Sequence, residues 1–267
     1  MRRSGMFWGI GLILLGSLLI LDRLGVLPFE LTGLFLPILL ILAGVWVIWG
    51  ISGRDRRRGD TSLRVPVEQA ALLKLRLQHG AGRLRLDASA SEPDALDASF
   101  GTGARHEVLL KDRVLSISLC PRDAWFFLSA PWGWWRGEPP DWVVHLPRTI
   151  PTELDVETGA SETLLELVGV RLSSLRFRTG ASSSEIHLAR PQGSVPVTVA
   201  GGATAIRLRL PAGVEARVRS RTDLASVNLD RVRFVRDGAA HVTSGFEQAA
   251  DRYEIEIRVG AGSVDIR

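Results

Sequence analysis

The residues able to do chemistry in this chain are few, and they are scattered. His79, His106, His145, His187 and His241 share no H-x-x-x-H spacing, and the single cysteine, Cys120, can neither close an intramolecular disulfide nor join a multi-cysteine metal site. Gly101-Thr102-Gly103 lacks the third glycine of a dinucleotide fingerprint, and neither a Walker A loop nor a G-x-S-x-G elbow is present. Ser182, Ser183, Ser184 and Glu185 contain a hydroxyl and a carboxylate that could act as nucleophile and base. They follow a Gly-Ala turn, however, where small polar residues are expected on conformational grounds. Glu254 and Glu256 stand at i and i+2, on the solvated side of an alternating strand, with nothing to hold a substrate between them. No catalytic residue, metal site or cofactor site is therefore expected, and the chain is read as a non-enzymatic protein that acts by binding.

The elements that position these residues fall into two unlike parts. The 267 residues are 46% hydrophobic, with the excess concentrated in residues 6–51. The first 60 residues hold seven arginines and four acids, a net +3, while the remainder holds 26 basic and 25 acidic residues, a net +1. The basic balance thus sits beside the apolar segment, and arginines elsewhere alternate with acids. Nucleic-acid binding, which needs a clustered basic footprint, is excluded on that ground.

Residues 6–21 and 31–52 are uncharged runs separated by Asp22, Arg23, Gly25, Pro28 and Glu30. At 1.5 Å per helical residue the second run reaches the roughly 30 Å of a bilayer core, and the first does so with its flanks. A two-helix transmembrane hairpin over residues 1–53 is expected, in preference to a cleavable signal peptide, because no small-residue cleavage site follows Leu21. Arg2 and Arg3 flank one end and Arg54, Arg56, Arg57 and Arg58 the other. The positive-inside rule then places both termini in the cytoplasm of a two-pass protein of a bacterial inner membrane. A basic linker is expected over 54–66.

From residue 67 to 267 the apolar period becomes two. Leu73-Lys74-Leu75-Arg76-Leu77 and Leu84-Arg85-Leu86-Asp87 flank His79-Gly80-Ala81-Gly82. The same unit recurs at Thr158-Gly159-Ala160-Ser161, Thr179-Gly180-Ala181-Ser182 and Gly201-Gly202-Ala203-Thr204, and the chain closes on Gly260-Ala261-Gly262. Gly159 to Gly180 is 21 residues and Gly180 to Gly202 is 22; one further step lands on Leu224. This spacing predicts an all-β domain, a parallel β-solenoid with two short strands per 21–22 residue rung. Glycine would supply positive φ at each corner, and small neighbours would let the rungs stack. An antiparallel sandwich with Gly-rich hairpins is the competing architecture, and the near-constant spacing favours the solenoid.

The hairpin followed by Leu-Arg-Leu-Gln-His-Gly-Ala-Gly-Arg-Leu-Arg-Leu at 75–86 resembles the membrane region and toast-rack β domain of LiaF-like and related adhesin-like bacterial proteins. That resemblance implies a toast-rack, β-helix-like fold. It also implies a role as accessory modulator of a cell-envelope-stress sensor kinase.

Residues 124–142 hold five of the eight tryptophans, interleaved with proline and glycine. A protruding loop is expected there. Trp125, Phe126, Phe127, Trp132, Trp134, Trp135 and Trp142 either meet a partner or the bilayer, or cap one end of the solenoid against edge-to-edge pairing. The partners expected are the lipid bilayer and a membrane protein, a sensor kinase or an envelope protein, with homo-oligomerisation open. A self-associating scaffold without a signalling role is the alternative function.

Overall fold

The computed structural model describes residues 61–101, 103–121 and 141–267. The expected hairpin, with Arg2, Arg3, Arg54, Arg56, Arg57 and Arg58, lies outside the described residues, as do Trp125, Phe126, Phe127, Trp132, Trp134 and Trp135. Among the described residues no helix is long and apolar enough to cross a membrane.

Thirteen strands form one sheet system: β1 Ser62–Pro66, β2 Leu72–Asp87, β3 Asp94–Phe100, β4 Ala104–Lys111, β5 Val114–Pro121, β6 Trp142–His145, β7 Thr152–Glu166, β8 Leu172–His187, β9 Ser194–Arg209, β10 Glu215–Leu229, β11 Phe234–Asp237, β12 Ala240–Thr243 and β13 Arg252–Ile266. Six of these, 15 or 16 residues long, stack in parallel in the spatial order β2, β7, β8, β9, β13, β10. Each is a rung of two arms joined at a small-residue corner. The spacing read from the sequence is the register of the ladder, with Leu154 beside Leu175 and Leu175 beside Val197. The all-β solenoid is present as expected. β1 extends it back to Ser62, into the stretch expected as linker, because Leu63 and Val65 alternate with Arg64 and pair with β3.

Alternation puts one side of every arm into the core. Leu73, Leu75, Leu77, Leu84 and Leu86 of β2 are buried, as are Val197, Val199, Ile206 and Leu208 of β9, and both arms feed a single cluster. Each such side chain contributes about 1.5–3 kcal/mol of burial, but only when a neighbouring rung covers it.

Two expectations are corrected. The step of 22 beyond Gly202 does reach a rung corner at Leu224, in β10, yet β10 does not lie on β9. The C-terminal strand β13 is inserted between them, with Val197 beside Ile255 and Ile255 beside Val218. β13 carries a Gly260-Ala261-Gly262 corner that fits an interior position, whereas β10 carries Asp223-Leu224 and takes the end. The second correction concerns glycine. Gly159, Gly180, Gly202 and Gly260 are not in the positive-φ region; positive φ belongs to the corners' Gly82 and Gly262 and to Gly169, Gly193 and Gly213 in the connectors that return the chain to the next rung. The corner glycines are needed for closeness. A Cβ on Gly159 would overlap the Gly80 carbonyl oxygen, and Cβ atoms on Gly180, Gly202 and Gly260 would stand 3.1, 3.0 and 3.1 Å from the carbonyl oxygens of Gly159, Gly180 and Gly202.

Gly159→Ala is therefore expected to push rungs β2 and β7 apart and to lower stability by about 1–3 kcal/mol. Urea unfolding of the intact chain in mild detergent measures this, and an unchanged midpoint would contradict the close-approach account.

Candidate interaction surfaces and polar clusters

The Trp-rich residues lie, in the sequence, between β5 and β6, which flank the two arms of β2. β5 runs parallel to the first arm of β2 as far as Leu77 beside Leu119, and β6 resumes beside the second arm at Leu84 and Trp142. β2 passes from one arm to the other within residues 78–83, while residues 120–141 separate the two segments paired with it. Just before β6, the Asp141 carboxylate accepts from Arg83 Nε at 3.0 Å and Nη2 at 2.7 Å. Trp142 does not belong to a contact surface, contrary to expectation. It is 1% exposed, its ring lies edge-on to Phe100 at 4.9 Å and tilted to His79 at 5.2 Å, and it anchors β6 in the core. Strand alternation explains this, since Trp142 and Val144 point inward while Val143 and His145 point out.

A Ser-His-Asp group does assemble where the sequence shows none nearby. At the ends of β2 and β6, His145 Nδ1 lies 2.7 Å from Asp87 Oδ1 and 2.7 Å from Ser89 Oγ, and Ser89 Oγ also donates to Asp87. A nucleophilic triad needs serine and carboxylate on opposite ring nitrogens; here both meet Nδ1, so the group is a clasp between rungs. Burial raises the Asp87 pKa, but the hydrogen bonds from His145 and Ser89 and the His145 charge outweigh it and hold the carboxyl below its ordinary value of 3.8.

The other sequence candidates are also structural. Ser182 and Ser184 lie on the inward side of β8 and Glu185 on the outward side, so no nucleophile-base pair forms. Ser182 Oγ joins a chain of hydroxyls crossing three rungs, 2.5 Å from Thr179 Oγ1 and 3.1 Å from Thr204 Oγ1, with Thr179 accepting from Thr158 at 2.9 Å. The Glu185 carboxylate accepts from His187 and from Arg209, both at 2.8 Å, and these bonds lower its pKa. Glu254 accepts from Ser194 Oγ at 3.1 Å, and Glu256 pairs with Arg258 at 2.7 Å. Among the described residues no cluster of His, Cys, Asp or Glu could hold a metal ion.

On the outer face, charge alternates by rung. Lys74 of β2 meets Glu153 of β7 at 3.1 Å, and Arg178 of β8 meets Glu157 of β7 at 3.2 Å. A groove of about 550 Å³ crosses this face beside Glu107 and Leu109 of β4, lined by both signs. Two features escaped sequence reading. β4 is exposed along nearly its whole length, with Val108, Leu109 and Leu110 open to solvent and Leu109 57% exposed. The signal for it was the break in alternation at Val-Leu-Leu. The second is the far end of the stack, where Leu224, Val232 and Val235 are exposed.

These observations define a parallel β-solenoid in which many described polar groups bond across rungs and most of the large exposed apolar side chains lie on β4 and at the β10–β11 end. Residues 129–209 match the N-terminal domain of toast_rack, DUF2154, the family that the sequence resembles. The fold also matches the crystal structure of a candidate cell adhesion protein from Clostridium sporogenes, with a TM-score of 0.69 and 19% identity, over 77% of this chain and 96% of that one. At that identity the likeness concerns the fold. A comparison with curated proteins finds no match.

Asp87 gives a pH test. Because folding favours its ionised form, the stabilisation is full above the ordinary carboxylate pKa of 3.8 and is lost as pH falls through the lower folded value. Asp87→Asn removes this contribution, so the variant is expected to lose less stability than the wild type between pH 7 and pH 3 in urea titrations. Equal losses would show that the clasp is not ionised in the native chain.

Proposed function

We propose that this protein is a non-enzymatic, membrane-anchored interaction protein in which the apolar N-terminal hairpin holds the toast-rack domain at the cytoplasmic face of a bacterial inner membrane, beside a membrane protein partner. The observation that carries this reading is the stretch of some twenty residues, rich in tryptophan and proline, that separates β5 from β6 in the sequence, where other rungs pass from one arm to the next through Gly-Ala; Asp141, at its end, pairs with Arg83. Aromatic residues on a scaffold-supported loop are the usual anchors of a protein interface. The regulatory form of this reading, modulation of an envelope-stress sensor kinase, is favoured by the toast-rack match together with the apolar N-terminal segment.

The test is capture from mild detergent of the intact protein and its triple variant Trp132→Ser, Trp134→Ser and Trp135→Ser. Recovery of one membrane protein by the wild type and its loss in a normally folded variant is the expected result. Recovery of the same protein by both would remove the loop from the interface, and unfolding of the variant would make it a cap. The topology has its own readout in Cys120, which is half-buried on β5. An impermeant maleimide is expected to leave it unlabelled in spheroplasts and to label it after lysis; labelling before lysis would place the β domain outside the cell.

A further inference from the structure

The six-rung stack ends in two different ways. The first arm of β10 is covered: β12 pairs with Arg217–Arg219, β11 pairs with β12, and Phe246 is clasped between Arg217 at 4.2 Å and Arg252 at 5.0 Å. The second arm, Thr222–Leu229, pairs with β13 on one side and with no described strand on the other. It is eight residues long, against a mean strand of about 5–6 residues, and has no proline, lysine or bulge of the kind that protects exposed edges. Its inward side chains Ala225, Val227 and Leu229 pack on the core but stay half-exposed for want of a next rung. At its corner Asp223 replaces the stacking glycine, and Leu224, where interior rungs have alanine, is 86% exposed.

We infer that this edge joins the same edge of a second copy, antiparallel, about a two-fold axis through Val227. The choice of occupant follows from the self-complementarity of the segment. With Val227 opposite Val227, Ala225 faces Leu229 on the core side and Ser226 faces Asn228 outside, so the apolar set of each copy meets that of the other. Arg231 to Arg233 form the turn that follows β10, so the paired segment ends at Leu229 and the contact is carried by its apolar side chains. Pairing satisfies the free backbone groups of the edge and extends the core across the axis. Parallel self-pairing in register is disfavoured by contrast, since it would set Asp223 against Asp223. The inference is independent of the proposed function, because β5 and β6, which flank the Trp-rich residues in the sequence, lie at the opposite end of the stack.

The experiment uses the intact protein in mild detergent, with mass measured by light scattering over a concentration series. A dimer is expected for the wild type. Val227→Lys and Val227→Asp, each placing like charges at the axis, are expected to raise its dissociation constant about tenfold, and an equimolar mixture of the two variants to restore it to within about threefold. In a Cys120→Ser background, Ser226→Cys is expected to cross-link between copies with a short bismaleimide, whereas Ala205→Cys, the equivalent position on interior rung β9, is not. A monomeric wild type, a dimer that ignores both Val227 substitutions, a mixture as weak as the separate variants, or equal cross-linking at both cysteines would overturn the assignment. Partner capture through the tryptophan loop is read separately, so either idea can fail alone.

Discussion

The whole β domain depends on how closely one rung approaches the next at its corner. Backbone carbonyls of Gly80, Gly159, Gly180 and Gly202 occupy the space that a side chain on the following rung's glycine would need. Because both arms of a rung leave from that corner, its spacing sets the spacing of both ladders. With the corner tight, the leucines, valines and isoleucines of each arm lie in register on their neighbours and the core is continuous. With it splayed, the same side chains face gaps. The connector glycines serve a different need, turning the chain sharply enough through positive φ for each new rung to begin where the last one began.

Polar residues follow from the same stacking. Side chains one rung apart are as near as cross-strand neighbours in any sheet, so a rung of one charge favours a rung of the other beside it. The acidic outer face of β7 between the basic faces of β2 and β8 meets this condition. Each exposed pair contributes little by itself; in parallel stacking, though, the alternation opposes slippage by one rung, which would put like charges together. Inside, the hydroxyls of Thr158, Thr179, Ser182 and Thr204 satisfy one another near the corner, where a methyl group would have less to gain than a donor-acceptor chain.

What function this leaves is a matter of ends and corners. Many of the rungs' described polar side chains bond across rungs, and the Ser-His-Asp group is wired as a clasp. A quasi-one-dimensional stack offers variation where it does not disturb the repeat: at a corner, which can be lengthened outward, and at the terminal rungs, which have one neighbour each. The tryptophan-rich residues stand in the sequence between β5 and β6, and the bare arm of β10 lies at a terminal rung.

The rung period, the two arms, the inward face of each arm and the lack of a metal-ligand or nucleophile motif were all legible in the residues, because they rest on local spacing: every second side chain, every twenty-first or twenty-second glycine. The order of the rungs was not. Nothing local distinguishes Gly260 as a neighbour of Gly202 from Asp223 as one, and the insertion of β13 between β9 and β10 is decided by which corner fits between two others. Trp142 shows the same limit, since as one of five clustered tryptophans it looked like loop, and only its pairing beside Leu84 puts it in the core. The meeting of Ser89, Asp87 and His145 was likewise invisible, fifty-odd residues apart in the chain. Short-range pattern determined what each segment would become; the contest among rungs for neighbours, settled by space at the corner, decided where each would lie.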